Sequence, residues 1–128
     1  MVLLMTSPQV AVLVIEDEPL LLELLIELLS DLGVNVVAVD RADAGLIYLE
    51  GHADELGLVV TDVMMPGVLN GHDLAVAVAN RWPALPVLIT SGYSPLQNHQ
   101  IPMNASFIAK PWTFQQMEAA VRERLPLL

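Results

Sequence analysis

Four apolar runs of this sequence end in side chains that can do chemistry. Val10–Ile15 is followed by Glu16 and Asp17, and Val59-Val60-Thr61 by Asp62. Pro86–Ile89 leads into Thr90 and Ser91, and Phe107-Ile108-Ala109 into Lys110. Glu16, Asp17 and Asp62 repel one another if their strands are neighbours, and crowding raises at least one pKa unless a cation intervenes. Mg²⁺ suits such a set, being a hard ion often held by one or two carboxylates with water and phosphate. A buried strand rarely ends in an unpaired carboxylate, so Asp62 calls for a partner, and the ammonium of Lys110 is a candidate. A phosphoryl group on Asp62 would need that positive charge, and a metal, to offset its own. Ser91, with Thr90 as competitor, offers a hydroxyl to a phosphoryl oxygen. Simpler roles exist for each: Asp17 or Glu18 as the cap of a helix opened by Pro19, Asp62 as the start of a loop, and Lys110 as a surface residue.

The elements that would position these residues follow from the hydrophobic period. Short Val-rich runs at Val10–Ile15, Val34–Val39, Leu58–Val63, Pro86–Thr90 and Ala105–Ala109 read as buried strands. Between them, Leu20–Leu32, closed by Gly33, and the segment from Asp40 or Arg41 to about Leu49 read as helices, as does Gly71–Arg81, stopped before Pro83. Pro66–Gly71 reads as a loop. Ser91–Asn104 holds Gly92, Pro95 and Pro102, so any helix there is short. Thr113 and Gln116 form a capping-box pair for a last helix reaching about Leu125. Five strands alternating with five helical segments imply a parallel sheet with right-handed crossovers. Its functional crevice lies beyond the carboxyl ends of the strands, where the acids, hydroxyls and lysine fall.

Composition narrows the function. The 128 residues suit one domain, with residues 1–8 as a lead-in and 9–128 as the folded unit. An apolar content of 55% fits strands buried on both faces. Cysteine is absent, which excludes disulfides, thiolate metal sites and a cysteine nucleophile and fits a cytoplasmic setting. A net charge of −10 argues against nucleic acid and anionic membranes as partners. No apolar stretch spans a bilayer, and the first residues do not read as a signal peptide. Dinucleotide and P-loop glycine patterns do not occur. His52, His72 and His99 lack ligand spacing, and Trp82 and Trp112 read as packing residues.

Taken together, Glu16-Asp17, Asp62 followed by Met65-Pro66-Gly67, Thr90-Ser91-Gly92 and Lys110-Pro111 resemble the receiver domain of response regulators, the CheY-like family, over about residues 9–125. The resemblance implies a flavodoxin-like, doubly wound α/β fold with strand order 2-1-3-4-5. It implies Asp62 as phosphoacceptor, Asp17 as direct Mg²⁺ ligand with Glu16 assisting, and the Met64 carbonyl as a further ligand. Ser91 matches the switch hydroxyl, Lys110 the phosphoryl-binding lysine and Phe107 the switch aromatic. It further implies a phosphorylation-controlled switch in a two-component or phosphorelay pathway, served by a histidine kinase or histidine phosphotransfer protein. Such a domain assists only its own phosphorylation and dephosphorylation. Output, to an effector or a second copy, would leave through the face of the fourth helix, fifth strand and fifth helix. Two departures stand out. The loop Pro66–Gly71 is one residue longer than the commonest form, similar to receivers of hybrid sensor kinases, and the Ser91–Lys110 stretch is short. Alternatives are an interaction module that works without phosphorylation, opposed by the intact acids and Lys110, and a flavodoxin-like binder or metal-dependent phosphatase, which predicts colour or turnover.

Overall fold

The computed structural model of the chain describes residues 10–92 and 102–125. The strands are β1 (Ala11–Ile15), β2 (Asn35–Val39), β3 (Leu56–Asp62), β4 (Val87–Ser91) and β5 (Ala105–Ala109). The helices are α1 (Pro19–Asp31), α2 (Ala42–His52), α3 (Gly71–Arg81) and α4 (Phe114–Arg124), with a 3-10 turn at Ala53–Glu55 after α2. All strand pairs are parallel, in the order β2-β1-β3-β4-β5. This is the flavodoxin-like, doubly wound α/β fold expected from the resemblance. The expected short fourth helix and the 1–8 lead-in lie outside the described residues. Among the described residues, no helix is long and apolar enough to cross a membrane.

Alternation along each strand sends side chains to two cores. Leu13, Ile15, Val59, Val63, Val87 and Ile89 meet α2 and α3 through Leu49, Leu74, Ala75 and Val78. Val12, Val14, Leu58, Val60 and Leu88 meet α1 and α4 through Leu25, Leu29, Met117 and Val121. Burying one such side chain stabilises by about 1.5–3 kcal/mol. Truncating Leu13 or Leu29, both fully buried, should cost about 2–5 kcal/mol.

Helix ends are fixed locally. Glu18, not Asp17, caps α1: its carboxylate accepts the Leu20 N–H at 2.9 Å, ahead of Pro19 in the first turn. Asn70 and Asp73 form a reciprocal capping box on α3. Thr113 and Gln116 form the expected one on α4. Some boundaries differ from the sequence expectation. β4 begins at Val87 because Pro86 has no N–H for the ladder, although its carbonyl accepts from Val59 at 3.0 Å. β3 begins two residues early, at Leu56, and α2 continues three residues past Leu49.

Candidate functional site

Because every strand runs the same way, the carboxyl ends of β1, β3, β4 and β5 meet at one edge of the sheet, with β3 between β1 and β4. Register then sets the levels. Ile15 is opposite Thr61, so Glu16 follows β1 at the level of Asp62, which is itself opposite Thr90. Thr90 is opposite Ile108, and Lys110 lies two residues further. The Lys110 amide donates to the Ser91 carbonyl at 2.8 Å, joining the two strand ends. The Lys110–Pro111 peptide is cis.

One oxygen each of Glu16, Asp17 and Asp62 lies within 4.8 Å of the others. Glu16 is 1% exposed and its Oε2 accepts the Glu18 N–H at 3.0 Å. The Asp62 Oδ1 accepts the Val63 N–H at 2.7 Å. Lys110 Nζ donates to Asp62 Oδ2 at 2.8 Å and to Glu16 Oε1 at 3.3 Å. Asp17 is exposed, and with Glu18 serving as the cap it is left facing the cluster.

Electrostatics follows the burial. Desolvation raises the Glu16 pKa, and the Asp62 charge adds to that, against the Glu18 hydrogen bond and Lys110, which lower it. For Lys110, burial works against the charge, but the hydrogen bond and charge of Asp62, then those of Glu16, outweigh it and raise its pKa. Three carboxylates around one ammonium leave the cluster short of positive charge. All-oxygen donors, excess negative charge and a buried acid held above its usual pKa are what a hard divalent cation such as Mg²⁺ relieves, so the residues fit that ion.

The hydroxyls separate by strand alternation. Thr90 is in register with Asp62, while Ser91, also buried, is the last residue of β4 and sits on the other sheet face, with Ile89. Ile89 is opposite Phe107 and Ser91 opposite Ala109, so Ser91 and Phe107 share that face on adjacent strands. Phe107 is half-buried against the core. Met64 follows β3 with its side chain exposed.

Two contributors escape sequence reasoning. Gly71 closes the loop after β3: its N–H donates to the Val63 carbonyl at 2.9 Å, and a Cβ there would run into the backbone carbonyl of Asp62. Asp43, in the first turn of α2, accepts from the Val68 and Leu69 amides of the same loop. Of the histidines, His52 stacks on Tyr48 with centroids 4.3 Å apart and pairs with Glu55 at 3.4 Å. His99 lies outside the described residues.

Known proteins align with this arrangement. The family model of the response regulator receiver domain matches residues 12–122. The response regulator protein FleR of Pseudomonas aeruginosa is 38% identical over 104 residues, 79% of this chain and 21% of that protein. The chain therefore spans about a fifth of that relative's length. A response regulator receiver domain protein of Clostridium thermocellum superposes with a TM-score of 0.82 at 26% identity, over 92% of this chain and 95% of that one. The response regulator TrrA of Thermotoga maritima, solved in complex with Mg²⁺ and BeF, gives a TM-score of 0.80 at 22% identity, over 91% and 99%, a likeness of fold alone.

Proposed function

The chain belongs to the response regulator receiver domain family of two-component signalling, and on that premise we propose that Asp62 accepts a phosphoryl group in a Mg²⁺-dependent reaction. The observation that carries this reading is the Lys110 ammonium, 2.8 Å from Asp62 and 3.3 Å from Glu16, inside an acidic cluster at the end of β3. The donor is a phosphohistidine of a histidine kinase or histidine phosphotransfer protein. An Asp62 carboxylate oxygen attacks the phosphorus, the phosphorus–nitrogen bond breaks, and its electron pair stays on the departing imidazole. Lys110 shifts from the carboxylate to a phosphoryl oxygen and offsets the charge gathering there. Glu16, Asp17, Asp62 and the Met64 carbonyl would hold Mg²⁺. When bound, the metal supplies Lewis-acid neutralisation of the phosphoryl oxygens.

Ser91 takes a hydrogen bond role toward a second phosphoryl oxygen. Its shared sheet face with Phe107 gives that movement a neighbour able to respond. Phosphorylation thereby shifts an existing equilibrium between two conformations. Output passes to an effector or a second copy over β5, α4 and the segment before β5. The domain acts in the cytoplasm and turns over no substrate beyond its own phosphorylation and dephosphorylation.

Acetyl phosphate with Mg²⁺ should yield a hydroxylamine-labile phosphoprotein, and chelating the metal should stop its formation. Labelling that survives hydroxylamine, or that proceeds equally without metal, would rule this reading out.

A further inference from the structure

The loop between β3 and α3 carries Met64, yet two of its side chains, Met64 and Val68, point into solvent, being 69% and 89% exposed. Its base is closed by Gly71 against the end of β3. Its far side is closed by a residue from another element. Asp43 Oδ2 accepts the Val68 N–H at 3.0 Å and Oδ1 accepts the Leu69 N–H at 2.8 Å. One carboxylate thus takes two consecutive backbone amides, a fork geometry that orients the peptide planes it grips. The neighbouring Gly67 is at φ +108°, and a Cβ there would lie 2.9 Å from Asp43 Oδ2. Turn and carboxylate are therefore shaped to one another. The two amide bonds also hold the Asp43 pKa below its ordinary value.

We propose that Asp43 is a positioning residue for the metal site: by clasping Val68 and Leu69 it fixes the loop that presents the Met64 carbonyl beside Asp62. This rests on the reading of Met64 as a Mg²⁺ ligand. Asp43 touches neither metal nor phosphoryl group and acts through the backbone. Residues that orient metal ligands commonly affect affinity by about 10–100-fold, and Asp43 belongs at the lower end because Met65 and Leu69 also anchor the loop in the core.

The test compares wild type, Asp43→Ala and Asp43→Asn, the last retaining one acceptor oxygen. Amide exchange is followed without metal, Mg²⁺ affinity by calorimetry, and folding by thermal unfolding. The proposal expects faster exchange at Val68 and Leu69 in both variants. It expects Mg²⁺ affinity to fall about tenfold in Asp43→Ala and less in Asp43→Asn. Should Asp43→Ala fail to fold, Asp43→Asn alone decides. Faster exchange with unchanged Mg²⁺ affinity would overturn the positioning role and leave the phosphoryl-acceptor reading intact. Unchanged exchange would show that no clasp exists. A wild type that binds no Mg²⁺ would overturn both readings, and that failure is visible in the control itself.

Discussion

Replacing Lys110 by Met keeps the apolar stem and removes the charge that Asp62 and Glu16 share. At 2.8 and 3.3 Å, with an effective dielectric constant of about 20, the gross attractions are about 6 and about 5 kcal/mol. Desolvation of the three groups cancels most of this. Breaking a fully buried pair from one side costs about 3–5 kcal/mol. The Lys110 side chain keeps 22% of its exposure, so the net loss should be smaller, about 2 kcal/mol, or roughly 6–10 °C in Tm for a domain of this size. The assay is thermal unfolding without Mg²⁺ at neutral pH. Because the folded pKa of Lys110 is raised, its contribution is fully present below 10.5 and lost as pH rises through the folded value. On the alkaline side the two melting curves should therefore converge only above that value. Mg²⁺ gives a second sign: the variant lacks a competing cation and should bind the metal several-fold more tightly, while stabilising the phosphoryl group less well. A variant as stable as wild type without metal, or one that binds Mg²⁺ more weakly, would refute this account of Lys110.

Other outcomes follow from the same geometry. Asp17→Asn should weaken Mg²⁺ binding more than Glu16→Gln in calorimetric titration, because Glu16 already serves Glu18 and Lys110 while Asp17 faces the cluster from an exposed position. Glu16→Gln should raise metal-free stability at neutral pH. The raised folded pKa of Glu16 means that wild type loses stability as pH climbs from 4.5 through that value, and denaturant midpoints across that range should show the gap opening. Gly71→Ala should cost about 1–3 kcal/mol or more, since its methyl group meets the Asp62 backbone, and chemical denaturation reads this directly. Phe107→Ala should leave binding of Mg²⁺ with beryllofluoride intact while weakening the response of amide exchange in β5 and α4.

The strand ends were legible because the chemistry sits at the end of Val-rich runs, and a parallel sheet gathers such ends on one edge. The Thr113 and Gln116 cap was legible because its signal is local. Asp17 and Glu18 were equal candidates for the α1 cap in sequence, and only the backbone shows that Glu18 takes the Leu20 amide. Alternation puts Thr90 and Ser91 on opposite faces, but it took the β3–β4 register to show that Thr90 is the one level with Asp62. Asp43 carries no signal in the sequence, because its amide partners lie 25 and 26 residues away. Gly71 read as the junction of the loop Pro66–Gly71 with the helix Gly71–Arg81, although the approach of its backbone to Asp62 is what requires glycine.

Phosphorylation of Asp62 can be read by intact-mass and peptide analysis after exposure to acetyl phosphate and Mg²⁺. The mass should rise by one phosphoryl group, located on the peptide containing Asp62 and absent from Asp62→Asn. A phosphoryl group of equal yield in Asp62→Asn, or one located on another peptide, would contradict it.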